Sequence, residues 1–197
     1  MSNVEKLFTT AEAAVLAEAP PGAVEKAIEE GIIEIRKGAT KASSRRRRLL
    51  SSKSIYYVAF LKRCDLQFSR KHKHLLWNQF KKTRPDHLLT ARWQIAPGVH
   101  IRPGELLAPT HKRVSWYARA RDRWIETNPE IKGGTPVIRG TRISVYSVAG
   151  RIKHGEAIND IVEDNPDLPR EAIEAAVTYA QANPLVGRPG GRPWREQ

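Results

Sequence analysis

A mainly α-helical fold with small β elements, an α+β chain, is what this sequence predicts. Three observations predict it. Apolar residues recur at helical spacing in several separate stretches, alternation is confined to two short ones, and proline or glycine punctuates most junctions. With 197 residues the chain has room for two small domains, and a hydrophobic content of 40% is enough for compact cores. The single cysteine, Cys64, excludes an internal disulfide framework and an all-cysteine zinc site. No apolar run approaches the ~20 residues that cross a bilayer. The start, Met1 to Lys6, lacks the basic-then-apolar pattern of a signal peptide. A cytoplasmic protein without membrane attachment is expected.

The first elements are read from their caps. Thr9 and Glu12 have the spacing of a capping box, and Ala11, Ala14 and Val15 fall on one face of the helix that follows. Pro20-Pro21-Gly22 stops it, Pro21 suits the first turn of the next helix, and Val24, Ala27 and Ile28 give that helix its apolar stripe. Gly31 can take the left-handed capping conformation. Ile33 and Ile35 then alternate with Glu34 and Arg36, as on a half-buried strand. A small, polar run from Lys37 to Ser44 leads into Arg45-Arg46-Arg47-Arg48 and then Leu49-Leu50. Two helices, a strand, a basic loop and a strand are the layout of a winged helix-turn-helix, expected over residues 1–87. In that layout one helix enters a major groove and the loop a minor groove, where arginine gains from concentrated negative potential. The candidate DNA-contacting residues are Pro21, Val24, Glu25 and Lys26 on the second helix. In the wing they are Lys37, Lys41, Ser43, Ser44, Arg45, Arg46, Arg47 and Arg48.

Beyond the wing, Ser51 or Ser52 can cap a helix with Ile55, Val58 and Ala59 on its core face. Another helix is expected from Ser69 to Thr83, with Leu76 and Phe80 inward and Arg70, Lys71, Lys73, Lys81 and Lys82 exposed. His72 and His74 stand near Cys64, but residues two apart on a helix do not share a face, and no metal or other cofactor is expected. Residues 88–124 read as a connecting segment. Leu89, Ala91, Trp93 and Ile95 alternate with polar residues, and Val99 and Ile101 do so after the turn Ala96-Pro97-Gly98, which predicts a β-hairpin. From Thr110 to Trp124 the pattern fits a strand through Val114, Trp116, Ala118 and Ala120. It equally fits a helix through Val114, Tyr117, Ala118 and Arg121. Trp77, Trp93, Trp116 and Trp124 are interleaved with arginines, an arrangement suited to core packing or to stacking on single-stranded bases.

Charge divides the chain more sharply than hydropathy. Residues 1–35 carry 2 basic and 7 acidic side chains, residues 36–124 carry 23 and 4, and residues 125–197 carry 9 and 10. The formal net charge of +13 therefore sits in the middle third, the electrostatic footprint of a nucleic-acid binder joined to something else. The four carboxylates of that third, Asp65, Asp86, Glu105 and Asp122, are far apart in sequence, and no nucleophile elbow or zinc-binding helix occurs. Catalysis is not expected.

The C-terminal third, residues 125–183, opens on Lys132-Gly133-Gly134-Thr135-Pro136-Val137-Ile138-Arg139-Gly140-Thr141-Arg142. A glycine-x-proline-valine-isoleucine-x-glycine-threonine-arginine run, followed by a helix to Gly155, a short helix Ala157 to Glu163, and a last helix faced by Ala172, Ala175, Ala176 and Tyr179, resembles the family known as domain of unknown function 433. The sequence departs from the family pattern at Ala157, where serine or threonine is usual, and at Asn165, where an aromatic is usual. The resemblance implies an antitoxin of the VapB type, partnered by a PIN-domain ribonuclease that requires a divalent metal. A longer subgroup carries an N-terminal DNA-binding helix-turn-helix. On that implication Arg139 and Arg142 are candidate toxin contacts. The tail, residues 184–197, is too rich in proline and glycine for helix or central strand. Its Arg188, Arg192 and Arg195 would suit the acidic cleft of such a nuclease, with Trp194 as an apolar anchor. The expected partners are this toxin, double-stranded operator DNA, and a second copy of the chain, since a homodimer matches a palindromic operator. The alternative is a stand-alone MerR-like transcription regulator without a toxin.

Overall fold

Thr9 ends a short strand and opens the first helix. Its N–H donates to Glu12 Oε2 at 2.8 Å and its hydroxyl accepts the Glu12 N–H at 3.1 Å, the reciprocal pair expected from the spacing. The computed structural model describes residues 6–40, 43–64 and 66–185, and of residues 37–40 and 43–47 the backbone alone. Strand β1 (Leu7–Thr9) leads into α1 (Thr10–Ala17), and Pro21 takes the first position of α2 (Pro21–Glu29). Gly31 adopts φ +68°, in the left-handed region, and turns the chain away from α2.

Ile33 and Ile35 do not begin a strand. Ile32 and Ile33 are both buried, and a strand sends successive side chains to opposite faces, so the core takes this pair from an irregular link instead. The ribbon is β2 (Arg36–Thr40) and β3 (Ser43–Ser51), with Arg36 opposite Leu49 and Lys37 opposite Arg48. β3 also pairs with β1, giving an antiparallel sheet in the order β1-β3-β2.

Helix α3 (Ser52–Arg63) packs on β3, and α4 (Arg70–Lys82) packs on α3, around an aromatic core. Tyr57 meets Trp77 and Phe80 edge-on, and Phe80 meets Trp93 edge-on at 4.7 Å between ring centroids. Trp93 starts β4 (Trp93–Ala96), which pairs with β5 (Val99–Ile101). Its indole N–H donates to Thr83 Oγ1 at 3.1 Å, pinning the hairpin to the end of α4. The hairpin is shorter than expected, because residues 88–90 form a turn against which the next helix packs. A Cβ on Gly104 would stand 2.0 Å from the Leu89 carbonyl oxygen, so only glycine permits that approach.

The ambiguous stretch is helical: α5 runs over Pro103–Trp124. Its buried residues Leu107, Thr110, Val114, Tyr117 and Ala118 follow helical spacing. Pro109 lies inside it, and Arg63 donates to the nearby Leu106 carbonyl (2.9 Å) and to Thr110 Oγ1 (2.6 Å). The remainder is β6 (Ile125–Glu126), β7 (Val137–Ile138), α6 (Val145–Lys153), α7 (Ile158–Asp164) and α8 (Arg170–Ala182). The described chain is thus mainly helical, with eight α-helices and three small antiparallel sheets.

Two apolar cores result, one from residues 8–118 and one from residues 120–180. Helix α5 supplies both, Tyr117 and Ala118 to the first and Ala120 to the second, and Trp116 and Tyr179 pack against each. Residues 88–124 therefore do more than connect. Among the described residues no helix is long and apolar enough to cross a membrane.

Candidate nucleic-acid interface

Helix α2 shows solvent a narrow face. Pro21, Lys26 and Glu29 are exposed, while Val24 and Ala27 are buried. Val24, expected at the DNA, is at 0% exposure and cannot reach a groove. It is one of the side chains that hold α2 on the core. Glu25 is half-exposed, and its carboxylate meets Arg48 at 2.8 Å, tying α2 to the basic end of β3. The tie pairs the one acid of α2 that lies beside the arginine run. Lys26 remains the exposed cation of this helix.

The segment expected as a wing differs from expectation in its extent. Lys37 to Thr40 and Ser43 to Arg48 are paired strands rather than a long loop, with a register shift between Gly38 and Thr40. Lys41 and the side chains of Lys37, Ser43, Ser44, Arg45, Arg46 and Arg47 lie outside the described residues.

Besides the Glu25–Arg48 tie, three sets of contacts fix the hairpin of α1 and α2 to the rest of the chain. Glu12, buried at 3% exposure, accepts from the Tyr117 hydroxyl at 2.8 Å and from Arg121 at 2.9 Å. Arg121 also donates to the Leu7 carbonyl at 3.1 Å and lies over the Phe8 and Tyr117 rings. Burial, reinforced by the Glu12 carboxylate, raises the Tyr117 hydroxyl well above the ordinary tyrosine range. At the other end of α1, Glu18 takes φ +52° and its carboxylate accepts from Arg63 at 2.6 Å and Arg113 at 2.5 Å. The Arg63 hydrogen bond, helped by Arg113, holds that carboxyl below its ordinary range. The third link is α4. Lys73 meets Glu30 at 2.9 Å, Lys81 meets Glu34 at 3.0 Å, and Arg70 donates to the Glu30 carbonyl at 3.2 Å. Sequence reasoning placed these cations on an exposed face without a role. Their signal was the complete lack of acids in this helix.

The aromatic residues settle into packing. Trp77 and Trp93 are buried, and Trp116 and Trp124 are half-buried, with the Trp124 N–H donating to Glu171 at 2.8 Å. A row of rings open to single-stranded bases is not formed by these four side chains.

In the C-terminal region the glycine-rich signature makes a tight turn between β6 and β7. Gly133 and Gly134 take positive φ (62° and 82°), which favours glycine there, and Lys132 precedes them at φ +50°. Thr141 locks the second turn, donating to the Ile138 carbonyl at 2.8 Å and accepting the Ile143 N–H at 3.0 Å. The two arginines separate in role. Arg139, expected at a toxin, donates to the Arg123 carbonyl at 2.9 Å and the Asp122 carbonyl at 3.2 Å. It caps the open end of α5, where a helix leaves carbonyls without partners. Arg142 is exposed, with no ion pair to another described residue. Arg188, Arg192, Trp194 and Arg195 lie outside the described residues.

A segment of 77 residues, 39% of the chain, is 44% identical to "Uncharacterized protein y4eO" of Sinorhizobium fredii (strain NBRC 101917 / NGR234). The match spans 34% of that protein, about a third of its length. No solved structure matches. Residues 125–180, from β6 to the last turn of α8, match the family described as "Protein of unknown function (DUF433)".

Proposed function

We propose that this chain is the antitoxin of a type II toxin–antitoxin pair, binding operator DNA through its N-terminal half and a PIN-domain ribonuclease through its C-terminal half. The observation that carries the reading is a junction. A β1-α1-α2-β2-β3 unit with four consecutive arginines on β3 is joined, by a helix common to both cores, to a region matching DUF433. In this reading the unit acts as a winged helix-turn-helix. Helix α2 offers Pro21 and Lys26 to a major groove, and the β2–β3 ribbon offers Arg45 to Arg48 to the backbone and minor groove. Arg142 and the tail residues Arg188, Arg192, Trp194 and Arg195 bind the toxin, with guanidiniums set against the carboxylates that hold its metals. The chain is then an inhibitor and repressor rather than an enzyme. A homodimer in the cytoplasm would place two heads on a palindromic operator.

A MerR-like regulator without a toxin is the second reading. The engagement of Arg139 within the chain favours it, because one of the two signature arginines is no longer available to a partner.

The test is co-expression with the product of the adjacent gene, followed by purification and a ribonuclease assay. The antitoxin reading predicts a stable complex with suppressed activity, and recovery of activity when the chain is truncated after Asn183. Absence of a complex overturns it and leaves the regulator. Full inhibition by the truncated chain removes the role given to the tail.

A further inference from the structure

Helix α4 carries cations at both ends, Arg70, Lys71 and Lys73 in its first turn and Lys81 and Lys82 in its last, with two histidines and no acidic residue. Its cations fall into two sets. Arg70, Lys73 and Lys81 lie toward the link between α2 and β2, where they meet Glu30 and Glu34. Lys73 and Lys81 are eight residues apart, roughly 12 Å along a helix, and they hold the two ends of the link, Glu30 and Glu34. The link therefore runs along one flank of α4 from its first turn to its last. It hands that flank over to the base of the β2–β3 ribbon.

The second set faces solvent. Lys71, Leu75, Asn78 and Lys82 are exposed, and His74 beside them is half-exposed. At 100° per residue these positions form one continuous arc, adjoining the flank that holds the link. Lys71 and Lys82 form no ion pair with a described residue. They stand roughly 16 Å apart along the helix.

The make-up of this arc selects its partner. Protein-binding patches place aromatic and large apolar anchors at the centre and are depleted in lysine. Here Leu75 is the one large apolar side chain, and the rest are the lysine, asparagine and histidine types that contact phosphate. We infer that the exposed face of α4, through Lys71, His74, Asn78 and Lys82, is a second phosphate-binding surface that grips the backbone of the duplex beside the β2–β3 ribbon. The inference rests on the DNA-binding reading above. Its effect is to fix the register of the chain on the duplex without reading sequence.

The experiment titrates the full chain against a mixed-sequence DNA duplex of about 30 base pairs at several salt concentrations. It compares Lys71→Gln/Lys82→Gln with the charge-matched Lys112→Gln/Arg119→Gln on the exposed face of α5, and with Arg45 to Arg48 all changed to Gln. The α4 pair is expected to weaken binding by roughly 10-fold or more and to lower the slope of log affinity against log salt by about 2. The α5 pair should leave both close to the parent values. An α4 effect no larger than that of the α5 pair, while the four-arginine variant loses binding, overturns the inference and leaves the DNA-binding reading standing. Failure of the parent chain to bind the duplex overturns both. Circular dichroism of each variant checks that these surface changes leave the fold intact.

Discussion

At the scale of single residues, the most consequential side chain is one that sequence spacing assigned only a capping duty. Glu12 does cap α1, but the same carboxylate also meets Tyr117 and Arg121 from a helix more than a hundred residues away in sequence. Arg121 is largely buried, at 17% side-chain exposure, so removing its partner leaves a charge that water reaches poorly. Glu12→Ala is expected to lower the unfolding free energy by about 3–5 kcal/mol, measured by urea denaturation at neutral pH. Replacing Glu12 and Arg121 together by methionine should recover a large part of that loss, since no unpaired charge remains buried. A loss from Glu12→Ala below about 1 kcal/mol would show that the pair contributes little beyond the cap. Arg139 teaches the same lesson in reverse. Its position in a signature suggested a partner, yet its guanidinium closes the end of its own chain's α5.

At the scale of elements, helix ends explain where this sequence departs from the DUF433 pattern it resembles. Ala157 precedes α7 in extended backbone geometry and offers no side-chain acceptor, although Asp160 reaches back to accept its N–H at 3.1 Å. Half of a capping box is therefore present. Ala157→Ser supplies the missing half and is expected to stabilise the protein by about 0.5–1 kcal/mol, read as a higher thermal midpoint. The exposed position leaves room for the hydroxyl. At the other end of α7, Asn165 stands where an aromatic is usual and donates its side-chain N–H to the Ile161 carbonyl at 2.9 Å. It trades packing for a cap. Helix α5 shows why periodicity alone left residues 110–124 open. Apolar residues at 114, 116, 118 and 120 do alternate, but burial runs through 107, 110, 114, 117, 118 and 120 and leaves 116 half-exposed, because α1, α3 and α8 all pack on α5.

At the scale of the whole molecule, α5 makes the two cores share one element. Tyr179 of α8 and Trp116 of α5 pack against both, and α8 also lies against α1. The chain should therefore unfold in a single cooperative transition, with calorimetric and van't Hoff enthalpies agreeing. Two resolved transitions, one lost on deletion of residues 125–197, would show instead that each core is stable alone. Much of the architecture was legible in the sequence because its signals are local. The cap at Thr9, the proline at the start of α2, the turn at Gly31 and the glycines of the signature act within a few residues of themselves. The sequence by itself likewise determined the mainly helical class, the acid-free character of α4 and the concentration of charge in the middle third. Tertiary structure alone decided which polar residues were already engaged: Glu25 with Arg48, Glu12 with Arg121, Arg139 with the end of α5. It also decided that Val24 faces the core and that α5 belongs to both halves. The physical reason is one of range. A cap or a turn is satisfied by its neighbours in the chain, whereas a buried charge or a shared helix is satisfied by groups that meet only when the chain has folded.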